Sequence, residues 1–214
     1  MVTRTYIKTV KLRKWFPPRD RFAACIARLC ILREDLFLEM MGIWKERIAV
    51  LDEHSALWRK MFFWRSLVKT IWEIRKTIET LNTIPEFKRV LQKQPVAWQK
   101  QYAKMVKLLN KHATLVEDVR NSLGGHVLFR TVEEALDGMS FDSFDYVEVG
   151  EIEKRTHYRF ANSLVLEMVL KGVDEEKRLE EISRHFRSVA DLLPVFTLTG
   201  ILFTVYVDAR KLLE

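Results

Sequence analysis

Residues 63–81 read FWRSLVKTIWEIRKTIETL. Trp64, Leu67, Val68, Ile71, Ile74, Ile78 and Leu81 recur at steps of three and four, while Arg65, Lys69, Glu73 and Lys76 take the other side. That spacing follows the 3.6-residue turn of an α-helix rather than the two-residue repeat of a strand, so the stretch is an amphipathic helix with one face to bury. The pattern starts near Asp52 and predicts one long helix over 52–81. A stripe of this length needs other apolar faces to cover it, and the sequence on either side supplies them.

Upstream, Phe22, Ile26, Leu29, Cys30, Leu36 and Met40 predict a helix from Arg19 to about Gly42. Downstream, Thr83 to Pro95 reads as a short helical linker. Trp98, Tyr102, Met105, Leu109, Ala113, Val116 and Leu123 then form the stripe of a helix over 96–123, with Gly124 placed to close it. TVEEALDGM (131–139) and YRFANSLVLEMVLKG (158–172) predict two further helices, and a long pattern from Asp174 is kinked at Pro194. FDSFDYVEVGE (141–151) is the convincing strand or turn region. Seven Gly and five Pro in 214 residues are too few for the frequent turns of a β-sandwich. The expected fold class is mainly all-α: one antiparallel helical-bundle domain over 19–214, a short strand or turn elaboration near 144–149, and a basic arm over 1–18 ending at Pro17–Pro18.

The formal charge is +7, and much of it is local: Arg4, Lys8, Lys11, Arg13, Lys14, Arg19 and Arg21 face the single acid Asp20 in the first 21 residues. Such an excess is compatible with RNA, DNA or an anionic membrane surface, and equally with solubility alone. Cys25 and Cys30, five apart on one predicted helix, point away from each other and suit two buried thiols in a reducing compartment. MVTRTYIKTVKLRKWFPP contains no apolar run of the signal-peptide kind, so a cytoplasmic location is the expectation. LLPVFTLTGILFTVYV (192–207) is sixteen residues without a charge, shorter than the roughly 20 of a membrane span. Thr197, Gly200, Thr204, Asp208 and Lys211 fall along one face of it, so a buried core helix is expected and no membrane partner.

The chemistry-bearing stretch is EDVRNSLGGHVLF, residues 117–129. On a helical wheel Arg120 falls in the middle of the apolar stripe of the 96–123 helix, where a guanidinium is costly to bury unpaired. A carboxylate, a position at an open end of the bundle, or a bound anion could each compensate. Gly124 and Gly125 allow a sharp turn that folds His126 back toward Arg120. An imidazole titrates near neutrality and can move a proton, and a guanidinium can hold two phosphate oxygens. The pair fits transesterification or hydrolysis of a phosphodiester.

RNSLGGH (120–126) resembles the Arg-(four to six residues)-His signature of the HEPN superfamily, in the variant with a polar residue after the arginine. The resemblance covers about residues 60–135. It implies a HEPN-like bundle and a metal-independent endoribonuclease, in which the RNA 2′-hydroxyl attacks the adjacent phosphodiester and leaves a cyclic phosphate. The alternative it leaves is a non-catalytic relative that binds a protein, RNA or nucleotide. By the same resemblance the catalytic residues are His126 in proton transfer, Arg120 on the phosphate and Asn121 orienting one of them. It further implies a homodimer with two motifs facing across the seam and, in toxin–antitoxin systems, a neutralising antitoxin protein. No cofactor is implied.

Arg65, Lys69, Lys76 and Arg130 are the candidate RNA-binding cations, while Trp64 and Trp72 are expected in core packing. His112, at the stripe's edge, reads as a core histidine bonded to a neighbour. His54 belongs to a capping cluster, and His157 and His185, among charges, are expected to be solvated. No HExxH, CxxC or carboxylate pair with ligand spacing occurs, so no metal is expected. LGGH lacks the Lys-Ser/Thr of a nucleotide phosphate loop, and neither cysteine has an evident activating base.

Overall fold

The computed structural model describes residues 10–44, 53–121, 129–138, 147–148, 157–158 and 160–212. These residues form an all-α protein with one short strand pairing. The helices are α1 (Leu12–Trp15), α2 (Arg21–Trp44), α3 (Glu53–Leu81), α4 (Pro85–Gln92), α5 (Val96–Lys111), α6 (Ala113–Val119), α7 (Phe129–Gly138), α8 (Phe160–Val169), α9 (Arg178–Leu192) and α10 (Val195–Ala209). β1 (Val147–Glu148) pairs antiparallel with β2 (His157–Tyr158), Val147 opposite Tyr158. β1 lies within the expected elaboration near 144–149. Most of FDSFDYVEVGE, Gly124 and residues 1–9 of the arm lie outside the described residues.

Local chemistry explains where the elements depart from their expected bounds. α2 begins at Arg21 because the Asp20 carboxylate accepts the Ala23 N–H at 2.9 Å, and Arg19, at φ 65°, stands outside helical conformation. The expected 96–123 helix is kinked at His112 (φ −99°, ψ 13°) into α5 and α6. Its ladder runs through the kink: His112 N–H donates to Leu108 C=O at 3.2 Å, and Val116 N–H donates to His112 C=O at 3.0 Å. Pro194, which has no N–H, separates α9 from α10 and stands as the N-cap of α10.

The chain divides into two compact units, the first Met1–Glu34, Glu73–Lys107 and Pro194–Glu214, the second Asp35–Trp72 and Leu108–Leu193. In the first, the Phe22 ring meets Tyr206 edge-on at 5.1 Å and Phe87 at 5.7 Å, and Phe87 meets Tyr102 at 5.6 Å. The Tyr206 hydroxyl donates to the Trp15 carbonyl. Arg210 reaches both Asp20, at 2.6 Å, and Glu86, at 3.0 Å, so the end of α10 is tied to the starts of α2 and α4.

In the second unit, Met61, Ala135, Val165 and Met168 make a core cluster flanked by Val132, Leu164, Leu166 and Val169. Phe186 packs on Trp64 at 5.5 Å, and Arg178 forks onto the Glu167 carboxylate. The buried Glu39 accepts hydrogen bonds from the Ser66 and Thr70 hydroxyls.

Glu175–Ala209 is long and apolar enough, by length and composition, to cross a membrane, with 44% of its most apolar window buried inside the fold. Within α10, Val195, Leu198, Leu202, Val205 and Tyr206 are buried, and Thr197, Thr204 and Asp208 are exposed. The polar face read from the sequence is therefore the outer one.

Two changes test this packing. A Cβ at Gly42 would overlap the Phe63 ring. Gly42→Ala should destabilise the protein in urea titration by about 1–3 kcal/mol, although alanine is intrinsically the better helix former by about 1 kcal/mol. A gain in stability would show that Phe63 moves aside freely. Burial pushes the Glu39 carboxyl above its ordinary value of 4.5, against the lowering by Ser66, Thr70 and Lys69. The native state therefore holds that proton more tightly than the unfolded chain, and wild-type stability loses ground as pH rises through the raised value. Glu39→Gln removes the ionisation, so its Tm relative to wild type should climb as pH rises from below 4.5 toward neutrality. A Tm difference independent of pH would refute the assignment.

Candidate functional site

α6 carries the motif to its last turns. Beyond Val119 the helix widens into a π-type turn at Arg120–Asn121, a local change that re-aims side chains and recurs at functional sites. Arg120 is half-buried. Its guanidinium lies over the indole of Trp72, 4.5 Å from the ring centroid, and its Nη1 donates to Asn121 Oδ1 at 2.9 Å. Asn121 is exposed. Among the described residues, the partners of Arg120 are thus an aromatic face and an amide, neither of them a carboxylate.

The consequence is chemical. A guanidinium placed over an aromatic ring is held without a counter-carboxylate there, and its positive charge is left for an anion. The structure brings Arg120 and Asn121 together and adds Trp72, which the sequence placed only in core packing. The alternation of aromatic and cationic residues along α3 was the available signal. Which guanidinium would meet Trp72 was a long-range question that no spacing within α3 answers. His126, with Ser122 to Gly125, lies outside the described residues.

The four candidate RNA-binding cations differ in situation. Lys69 is exposed. Arg65 is half-buried, and burial pulls its pKa below the usual arginine range. Arg65, Lys69 and Trp72 stand four and three apart and so share one flank of α3. Lys76 follows on the same spacing, inside the first unit, with its ammonium 3.1 Å from Glu79. Arg130 is exposed and bonded to Glu134 at 2.8 Å.

Two histidines depart from expectation. His112 is buried as expected, but its Nε2 stands 3.9 Å from Asp191 Oδ2, too far for a hydrogen bond. His185, expected in solvent, is buried. It shares the inward face of α9 with Val189 and Leu192, on a helical spacing that its charged neighbours masked. Burial lowers the pKa of both imidazoles. The side chains of His54 and His157 lie outside the described ones.

Cys25 and Cys30 are free thiols whose pKa burial raises, which disfavours the nucleophilic thiolate. Among the described residues no group of three or more His, Cys, Asp or Glu is gathered as a metal site.

Arg120→Gln removes a stacked cation without opening a core cavity. It should lower unfolding free energy by only about 0.5–1 kcal/mol, measured by urea titration. A loss of several kcal/mol would make Arg120 a structural residue first. No known family model, curated protein or solved structure matches the chain, so these residues and their geometry carry the functional reading.

Proposed function

We propose that this chain is a HEPN-like, metal-independent endoribonuclease acting in the cytoplasm as a homodimer, with a neutralising antitoxin protein as its natural partner. The observation that carries the reading is Arg120, its guanidinium over the Trp72 ring and one N–H on Asn121, with no carboxylate partner among the described residues. A fixed cation of this kind suits the negative charge that builds on the phosphate oxygens during attack.

In the reaction His126 takes the proton from the RNA 2′-hydroxyl, and the 2′-oxygen bonds to the adjacent phosphorus. The bond from phosphorus to the 5′-oxygen breaks, the leaving oxygen takes a proton from water, and His126 returns its proton to solvent. Arg120 stabilises the phosphorane oxygens, while Asn121 fixes the guanidinium's rotation through the bond to Nη1. Arg65 and Lys69, on the flank of α3 that carries Trp72, guide the RNA backbone, and Arg130 and Lys76 add to the basic surface.

The test is incubation of the purified protein with a mixed RNA pool in EDTA, beside a folded Arg120→Ala/His126→Ala double variant. Cleavage by the native chain, with cyclic-phosphate ends and a loss of about 100-fold or more in the variant, is the expected result. Equal cleavage by both proteins, or none by a well-folded native chain, would replace this reading with a non-catalytic module that binds a protein or nucleotide.

A further inference from the structure

We propose that the lysine stripe of α5, formed by Lys100, Lys104 and Lys107, is a docking surface for the phosphodiester backbone of a nucleic acid. It shares no residue with the Arg120–Asn121 motif and goes beyond the ribonuclease reading. All three lysines belong to the first unit, and all three are exposed.

The first argument is uncommitted charge. From Pro85 to Lys107 the chain carries Lys88, Arg89, Lys93, Lys100, Lys104 and Lys107 against the single acid Glu86. Glu86 is itself engaged by Arg210. The six cations are exposed, and none makes a salt bridge or a side-chain hydrogen bond among the described residues. Other helices pair their cations with acids one turn away: Arg75 with Glu79, Arg130 with Glu134, Arg184 with Glu181. α5 contains no acid at all.

The second argument is the cost to the fold. Lys100, Lys104 and Lys107 stand four and three apart, so they are neighbours on one face, spread over roughly 10 Å of the helix axis. Like charges at this spacing destabilise a helix. The packing of α5 draws nothing from them, because it uses the other face, where Tyr102 and Met105 are buried and the Tyr102 ring meets Phe87 at 5.6 Å. The entry to α5 is fixed by Gln99, whose Nε2 donates to the Gln92 carbonyl at 3.1 Å and the Gln94 carbonyl at 2.8 Å. The stripe is a row of cations on an anchored helix, repelling one another until an anion joins them.

The surrounding surface selects the partner. Between Lys100 and Lys107 the other outward residues are Gln101 and Ala103. The face therefore lacks the aromatic and apolar anchors of a protein interface, in which lysine is depleted. A helix that enters a lipid surface does so by its apolar face, and that of α5 is turned into the fold. A row of ammonium groups suits the repeated charge of a phosphodiester chain, contacted without regard to base.

The experiment is fluorescence anisotropy of the full chain with a labelled single-stranded 2′-O-methyl oligoribonucleotide of mixed sequence, over a series of KCl concentrations. Saturable binding by the native chain is expected. Lys100→Gln/Lys104→Gln/Lys107→Gln should bind about tenfold more weakly, and the dependence of log K on the logarithm of KCl concentration should become shallower by about 2. Its stability in urea titration should be equal or higher, since the repulsion is gone. Lys100→Arg/Lys104→Arg/Lys107→Arg, which keeps the charge, should keep the affinity. Lys60→Gln/Lys171→Gln/Lys177→Gln removes the same charge from exposed positions of the second unit and should leave the salt dependence nearly unchanged. No saturable binding, an unchanged salt dependence in the α5 glutamine variant, or equal losses in both glutamine variants would overturn the proposal. Equal affinity for polyglutamate or for phosphatidylserine vesicles would overturn it in favour of an acidic protein or a membrane. The 2′-O-methyl group removes the nucleophile, so none of these readouts depends on RNA cleavage, and a failed ribonuclease assay is told apart from a failed docking surface.

Discussion

The burial of one face of α3 is the constraint around which the rest is arranged. Trp64, Leu67, Val68, Ile71, Ile74, Ile78 and Leu81 are each no more than 3% exposed, and burial of side chains of this size stabilises by about 1.5–3 kcal/mol apiece. Trp64 to Ile71 belong to one compact unit and Ile74 to Leu81 to the other, so the division at Trp72–Glu73 falls inside a continuous helix. Each unit therefore builds its core on a segment of the same stripe. Trp72, at the edge of the stripe, is half-buried, with ring face available to Arg120.

Polar groups inside the fold are handled in two ways. Glu39 is enclosed with two hydroxyls that donate to one of its oxygens, and Arg210 joins two carboxylates at the meeting of three helices. These groups meet carboxylate or hydroxyl partners within the protein, although Glu39 Oε2 and Arg210 Nε have none among the described residues. Arg120 is different, since its aromatic and amide partners leave its charge without a carboxylate among the described residues.

Much of the helical architecture was legible because its signal is periodic and local. The α3 stripe, the break at Pro194 and the outer polar face of α10 all follow from spacing and from proline's missing donor. The kink at His112 has no such signature, since the hydrogen-bond ladder runs through it. His185 was misread from its charged neighbours, although Val189 and Leu192 stand four and seven residues on and mark the inward face of α9. In the candidate site, the adjacency of Arg120 and Asn121 was legible. The Trp72 platform was not, because helix periodicity carries no information about which distant side chain a face will meet.

The ties between Trp15 and Tyr206 and between Asp20 and Arg210 join positions 191 and 190 residues apart. Contacts so distant along the chain close late, because loop entropy must be overcome before they form. During synthesis the apolar face of α2 around Phe22 has no Tyr206 ring against it until α10 leaves the ribosome. The nascent first unit therefore spends most of its translation with an open aromatic core.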